Sequence, residues 1–201
     1  MTCMRRLFRV GLMSMMTTIL VACDVMPVPA PAESPEPPPT ARSAAWPMLE
    51  HPTCCYSLRY PPSWHVHQFE ITRGSAEYHY CAILSTAPGN VSWQDATEDE
   101  RARVVISRQA RQSNQYLLQW VSAGWPFIAQ IPEPFSVGGM EGMQASVEPE
   151  TLDTDLRSIF VWLQTPEYFY AISGHIRPDI EAGSYDEMID EIISSFQVIE
   201  G

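Results

Sequence analysis

The sequence predicts an α+β domain, in which an antiparallel β-sheet of about six strands carries helices packed on it. Short runs rich in β-branched and aromatic residues are separated by Pro and Gly turn signals, which indicates strands that are neighbours along the chain. Two other segments place their apolar residues three and four positions apart, as amphipathic helices do. The helices separate runs of strands and do not alternate with single strands. Strands joined by short turns pair antiparallel, so the class is α+β.

Four segments in the first half of the domain have the composition of β-strands. They are residues 54–60, 64–71, 78–84 and 102–108. Pro61-Pro62 ends the first of them, and Arg73-Gly74 is the turn signal between the second and the third. A β-branched centre, Val104-Val105-Ile106, favours a strand for the last.

A helix is predicted over residues 114–123. It places Leu117, Leu118 and Val121 on one face, and Gly124 is its stop signal. The stretch before the fourth strand is ambiguous. Ser92 with Asp95 can cap a short helical turn, and one long helix from residue 92 to residue 121 is the competing interpretation.

The second half predicts more strands and a closing helix. Residues 135–147 contain Gly138-Gly139-Met140-Glu141-Gly142, a tight entry to a strand, and residues 155–163 and 168–174 form a hairpin. Ser184 and Glu187 match a capping box at a helix start. The apolar stripe of that helix consists of Met188, Ile189, Ile192, Ile193 and Phe196.

Three of these motifs resemble the PsbP-like superfamily, which includes the photosystem II extrinsic protein, a yeast Ran-binding regulator and many bacterial lipoproteins. Residues 56–64 (YSLRYPPSW) are similar to its opening motif, residues 137–142 to its central glycine strand, and residues 192–198 to its closing helix. The resemblance implies an antiparallel sheet with packed helices, an α/β/α sandwich, used mostly as a non-catalytic binding or assembly module. It supplies no active site. The chain departs from the family in Cys54-Cys55, in Cys81 and in having no lysine.

The first 22 residues have the features of a signal peptide. Three arginines precede an uncharged run of about a dozen residues, Val10 to Val21, which is shorter than the roughly 20 residues of a membrane-spanning helix. The run ends in Leu20-Val21-Ala22-Cys23, which resembles the lipobox of bacterial lipoproteins. That resemblance implies cleavage before Cys23, a diacylglycerol on its thiol and a fatty acid such as palmitate on its amine. Asp24 resembles the signal that keeps some lipoproteins on the inner membrane, facing outward.

A proline-rich tether follows the predicted lipid site. Eight prolines lie between Asp24 and Pro47, and such a stretch favours extended polyproline II over helix or central strand. At about 3.1 Å per residue it can hold a domain roughly 75 Å from the bilayer. The predicted organisation is therefore a signal peptide at 1–22, a lipidated cysteine and tether at 23–47, and one globular domain at 48–201.

Charge restricts the partners of the mature chain. Three of the twelve basic residues precede Cys23, which leaves nine arginines against 24 acidic residues, a formal net charge of −15. Such a surface is repelled by nucleic acid and by anionic headgroups. We expect no nucleic acid partner, membrane contact through the lipid alone, and an envelope protein as partner.

Enzyme signatures such as G-x-S-x-G, H-E-x-x-H, a P-loop and C-x-x-C do not occur in the sequence. We therefore expect no enzyme and no cofactor beyond the lipid, and an envelope hydrolase has the least support. In an exported protein, the default for the remaining cysteines is a disulfide. Cys81 is expected to pair with Cys55 or with Cys54, which leaves one thiol free. Three buried thiols are the alternative.

A metal- or ligand-binding site is the alternative function. His65 and His67 are two residues apart, as are His79 and Cys81, so each pair shares one strand face. If a three-residue loop, 72–74, closes the hairpin, His67 faces His79 and His65 faces Cys81, a set suited to zinc or copper. A two-residue turn would send the pairs to opposite faces.

A partner surface is predicted near the first helix. Residues 120–128 are apolar and include Trp120, Trp125 and Phe127, which either pack in the core or form an exposed patch. In the second case they are the candidate contact surface of a non-catalytic binding or assembly module.

Overall fold

The fold is built around a seven-stranded antiparallel sheet. The computed structural model describes residues 43–69, 77–89, 99–128, 132–149, 155–177 and 182–199. Within them, a 3₁₀ turn at Ser43–Ala45 precedes β1 Met48–His51, β2 Tyr56–Arg59, β3 His65–Gln68, β4 His79–Ser85, β5 Ala102–Ala110, α1 Leu117–Gly124, β6 Glu133–Val137, β7 Met140–Val147, β8 Arg157–Gln164, β9 Tyr168–Ile176, α2 Ala182–Ser194 and β10 Gln197–Val198.

The large sheet has the strand order β3-β4-β5-β9-β8-β7-β6, and a smaller sheet has the order β1-β2-β10. Every pairing is antiparallel. The α+β class and the antiparallel sheet are therefore confirmed, although the sheet has seven strands where about six were expected.

Two tight hairpins follow from local sequence. Gly138 and Gly139 have φ values of +56° and +74° and join β6 to β7, because only glycine takes two successive positive φ angles without strain. The predicted strand at 135–147 is thus a hairpin. Between β8 and β9, the Thr165 amide donates to the Tyr168 carbonyl at 2.8 Å, and Trp162 pairs with Ala171 across the two strands.

One face of the large sheet, called here the α2 face, is covered by α2 and the small sheet. The stripe Ile189, Ile192, Ile193 and Phe196 is buried there, as predicted. A Cβ added at Gly174 of β9 would lie 2.6 Å from Cγ2 of Ile189, so the helix packs closely on β9 only because this residue has no side chain.

The opposite face, called the α1 face, is covered in part by α1, which lies against β8. Its core contains Leu117, Trp120 and Val121 from the helix, together with Phe160, Trp162, Phe169 and Ala171 from the sheet. Both faces of the sheet therefore bury apolar side chains, which matches the layered architecture that the resemblance implies.

Several sequence expectations are corrected. The long helix from residue 92 to 121 is wrong, because β5 occupies 102–110. Leu118 is exposed and Trp120 is buried in its place, since Leu117, Trp120 and Val121 share a face at 3.6 residues per turn. Helix α2 starts at Ala182, so Ser184 lies in its first turn and is not the N-cap.

The first predicted strand is shorter than expected, because Cys54 and Cys55 lie in the turn between β1 and β2. Strands β1 and β10 were not predicted. The Arg73-Gly74 turn and the Ser92/Asp95 cap lie outside the described residues.

Candidate functional site

The predicted anchor lies outside the described residues, which begin at Ser43. This applies to Cys23, to Asp24 and to nearly all of the tether. In the part of the chain that is described, no helix is both long and apolar enough to cross a membrane. The lipid anchor therefore stays a prediction.

A disulfide joins Cys54 to Cys81, with their Cα atoms 6.3 Å apart. It links the turn between β1 and β2 to β4, where a register shift between Tyr80 and Ala82 bulges the strand at Cys81. Of the two pairings expected from the sequence, the structure has this one. Cys55 is a buried free thiol with a φ of +60°, a left-handed conformation that non-glycine residues adopt rarely.

His51 stabilises both ends of this bridge, and sequence reasoning missed it. Its Nδ1 accepts a hydrogen bond from the Cys54 amide at 3.2 Å. The neutral ring therefore carries its proton on Nε2, which donates to the Cys81 carbonyl at 3.0 Å. Burial lowers the pKa of His51, which favours this neutral form.

The predicted metal set is not assembled in this structure. His65 lies opposite Ser85 and His67 opposite Ile83, four positions away from the predicted pairing of β3 with β4. The Cys81 sulfur is held in the disulfide, so it is not a thiolate ligand. Among the described residues, no group of three or more His, Cys, Asp or Glu side chains is placed to hold a metal ion.

A buried polar row crosses the α1 face at one end of the sheet. Ser85, Arg103, His175 and Ser158 occupy successive register positions on β4, β5, β9 and β8. Glu100 binds two of them: its Oε1 accepts from the Ser85 hydroxyl at 2.6 Å and its Oε2 lies 3.3 Å from Nη2 of Arg103. A buried ion pair needs such additional hydrogen bonds to offset its desolvation.

His175 in this row contacts two serines. Its Nδ1 lies 2.8 Å from the Ser158 hydroxyl and its Nε2 lies 3.0 Å from the Ser173 hydroxyl. Burial, together with the charge of Arg103, lowers the pKa of His175 to about 4, so the ring is a weak base. Ser158 is 1 % exposed. A serine nucleophile needs a strong neighbouring base and access to substrate, and this pair offers neither in the observed conformation.

The predicted surface residues divide between core and surface. Trp120 is buried, stacks on Phe169 with ring centroids 4.9 Å apart, and donates its indole N–H to Oε1 of Gln109 at 2.6 Å. Trp125 is half-buried, with edge contacts to Trp120 and Trp162. Trp120 is thus a core residue, and Trp125 bridges the core and the surface.

The surface around α1 is apolar. Among the described residues, six large hydrophobic side chains are exposed, and four of them lie on or beside this helix. They are Tyr116 (72 % exposed), Leu118 (47 %), Tyr78 (38 %) and Phe127 (36 %). Tyr78 contacts Trp125, at 6.2 Å between ring centroids, and Phe127 contacts Phe160. These four side chains with Trp125 are called the α1 patch.

The segment that carries most of the α1 patch has no charged residue. Between Arg111 and Glu133 the sequence contains neither acidic nor basic side chains, although 18 % of the chain is charged. Depletion of charge with enrichment of Tyr, Trp and Phe is the composition of the buried centre of protein interfaces. A surface of this kind also loses little hydration free energy when a partner covers it.

No protein-family model matches this sequence, and no curated protein matches it. Solved structures resemble it. The solution structure of cyanobacterial PsbP (CyanoP) from Synechocystis sp. PCC 6803 superposes with a TM-score of 0.50 and 10 % identity, over 76 % of this chain and 91 % of that one. A crystal structure of LpqN, described as involved in cell envelope biogenesis of Mycobacterium tuberculosis, gives a TM-score of 0.50 and 11 % identity, over 78 % and 86 %.

A crystal structure from Bacteroides thetaiotaomicron VPI-5482 gives a TM-score of 0.47 and 12 % identity. It covers 76 % of this chain, which spans about half, 48 %, of that protein. At such identities a likeness shows the fold alone. The CyanoP and LpqN structures confirm the PsbP-like fold that three short motifs predicted.

Proposed function

We propose that this chain is a lipid-anchored, extracytoplasmic and non-catalytic binding module that holds an envelope protein at its α1 patch. The observation that carries the proposal is the clustering of exposed aromatic and aliphatic side chains on an uncharged segment. Contiguous exposed apolar patches larger than a few hundred Å² are uncommon on monomeric proteins and mark interaction sites.

The anchor part of the proposal is supported by the sequence. Leu20–Cys23 resembles a lipobox, and two or more acyl chains give stable membrane attachment where one is marginal. The tether lets the domain reach partners well above the bilayer. Asp24 favours the outward face of the inner membrane if the organism has two membranes.

The chemistry of the α1 patch favours a protein partner over the bilayer itself. A membrane-binding surface combines apolar side chains with basic ones, which attract anionic lipids. No basic residue lies between Arg111 and Glu133, and the mature chain carries a net charge of −15. The partner that fits has an apolar, uncharged cleft with basic residues at its rim, because the rest of this surface is acidic.

Photo-crosslinking in cells tests the surface. A benzoyl-phenylalanine probe is placed at Phe127 in the full-length chain, and the control probe replaces Met48, which is 52 % exposed on β1. We expect one discrete protein adduct from position 127 and none from position 48. Leu118→Asp in the same chain should abolish the adduct, since it places a charge within the α1 patch. Equal adducts from both positions, or adducts with lipid alone, would contradict the proposed surface.

Membrane fractionation tests the anchor separately. Cys23→Ala removes the lipid site and should release the protein from the membrane fraction after export. The control variant Cys55→Ala, which changes a cysteine of the folded domain, should leave the protein in the membrane fraction. Unchanged fractionation of the Cys23→Ala variant would overturn the anchor and leave the surface proposal intact.

A further inference from the structure

Arg108 on β5 is a buried cation whose hydrogen-bonding capacity is only partly used. The side chain is 1 % exposed and lies on the α2 face, beneath the turn between β1 and β2. Its Nη1 donates to the Thr53 carbonyl at 2.7 Å. Its Nε and Nη2 have no partner, although both atoms are buried. Buried charges in proteins are paired or fully hydrogen-bonded, so this arrangement needs an explanation.

The two unused donors lie on the same edge of the guanidinium. Nε and Nη2 point their N–H bonds in parallel, which is the geometry that binds both oxygens of a carboxylate at once. Thr53 occupies the other side of the group, and the Tyr168 ring covers one flat face at 4.3 Å from Cζ to the centroid. The Nε/Nη2 edge is therefore the part of the guanidinium whose hydrogen-bonding capacity is unused.

A second unpartnered polar atom lies in the same row of the sheet. His79 on β4 is the direct register partner of Arg108 on β5, and its Nε2 is buried without a hydrogen-bond partner. Side chains directly opposite each other in an antiparallel pair have Cβ atoms about 5 Å apart. Tyr170, the register partner of Arg108 on the other side, already donates its hydroxyl to the Cys54 carbonyl at 2.9 Å.

We propose that the Arg108 edge, with His79 beside it, is a binding site for a small monocarboxylate anion. No acidic side chain pairs with Arg108 among the residues that the structure describes. A planar carboxylate accepts from each of the two parallel donors with a separate oxygen, whereas a chloride ion must accept from both with a single atom. Because the Nε and Nη2 atoms are buried, we assign the site to a small carboxylate such as formate or acetate and not to a peptide. The site is independent of the α1 patch, which lies on the opposite face.

Titration of the full-length protein in detergent, with the disulfide intact, tests the site. ¹³C-labelled formate and acetate are the probes, with phosphate and chloride as competitors, and the readouts are the probe signal and the arginine Nε–H resonances. We expect saturable carboxylate binding that shifts one protected Nε–H signal. Arg108→Lys keeps the charge but loses the fork, and should weaken binding by about tenfold or more. The matched control Arg101→Lys, at an exposed position, should bind as the wild type does.

A measurement on the wild type keeps the proposal testable if Arg108→Lys does not fold. A nuclear Overhauser effect between the formate proton and the ring protons of Tyr168 or His79 should appear at saturation. Absence of saturable carboxylate binding would overturn the proposal, as would binding unaffected by Arg108→Lys in a folded variant. Tighter binding of phosphate or chloride than of formate would overturn the assignment of the ligand class.

Discussion

The disulfide between Cys54 and Cys81 is expected to contribute several kcal/mol to stability, and replacing both residues with alanine should remove that contribution. The bridge spans 27 residues. In the chain-entropy relation, a loop of that length corresponds to about 12 cal/mol/K, or about 3.5 kcal/mol at 25 °C. Both sulfurs lie in fully buried residues, so their truncation adds about 1 kcal/mol for lost packing. The expected loss is therefore about 4.5 kcal/mol.

Urea unfolding of the full-length protein, followed by tryptophan fluorescence, gives the free energy of unfolding for each variant. Cys55→Ala is the matched control, because Cys55 adjoins the bridge and has a free thiol. It should cost less than about 1 kcal/mol, since its sulfur makes only weak contacts, such as that to the Pro52 carbonyl at 3.6 Å. A double variant no less stable than Cys55→Ala would refute the reasoning. So would a native mass without the deficit of about 2 Da that one disulfide produces.

Three further predictions concern stability. Folding lowers the pKa of His175 from 6.5 to about 4, so the folded state favours the neutral ring. The contribution of this neutral ring to the free energy of unfolding is complete above pH 6.5 and is lost as the pH falls toward 4. We expect wild-type unfolding free energy to fall by about 3 kcal/mol more than that of His175→Gln between pH 7 and pH 4. Gly174→Ala should destabilise by about 1–3 kcal/mol, because its Cβ would meet Ile189. Gly124→Ala should stabilise by up to about 1 kcal/mol, since the helical position is open.

Thermal and urea unfolding of these variants checks each of them. Parallel pH profiles of wild type and His175→Gln would contradict the assigned protonation state. The two glycine variants control for each other, because both add one methyl group, at Gly174 against Ile189 and at Gly124 into open space. Equal effects would show that α2 does not pack on β9 as closely as described.

The elements with strong local signals were predictable from the sequence. The hairpin of β8 and β9 and the apolar stripe of α2 were predicted nearly in place, because strand composition and helical spacing are local properties. The short strands β1 and β10 were not, since they have four and two residues and form only by pairing with β2. Pairing of that kind depends on tertiary contacts, which a sequence pattern does not display.

The site predictions failed where register decides the geometry. Pairing of β3 with β4 differs by four positions from the expected one, and a bulge at Cys81 shifts the strand again, so the histidine set does not converge. The choice between Cys54 and Cys55 was open for a related reason. The two residues occupy a turn in which Cys54 forms the bridge and Cys55 has a left-handed φ, and no sequence signal announces a positive φ at a cysteine.

The sequence pattern placed Leu118 on the buried face of the first helix and left Trp120 open between core and surface. Leu117 and Leu118 lie about 100° apart around the helix axis, so they do not share a face. The residue that shares a buried face with Leu117 and Val121 is Trp120. In the structure Trp120 is buried in the core, and Leu118 is exposed and belongs to the α1 patch. Of the predicted surface residues, Phe127 is exposed, Trp125 is half-buried and Trp120 is buried.

The proposed function depends most on the α1 patch being the binding surface. Once the crosslinked partner is purified, its dissociation constant is measured with the wild type, with Leu118→Asp and with Met48→Asp. Both substitutions place one negative charge at an exposed apolar position, and neither should change stability by more than about 0.5 kcal/mol. We predict that Leu118→Asp weakens binding by at least about tenfold while Met48→Asp leaves it unchanged. Equal affinities for all three proteins would contradict the central claim.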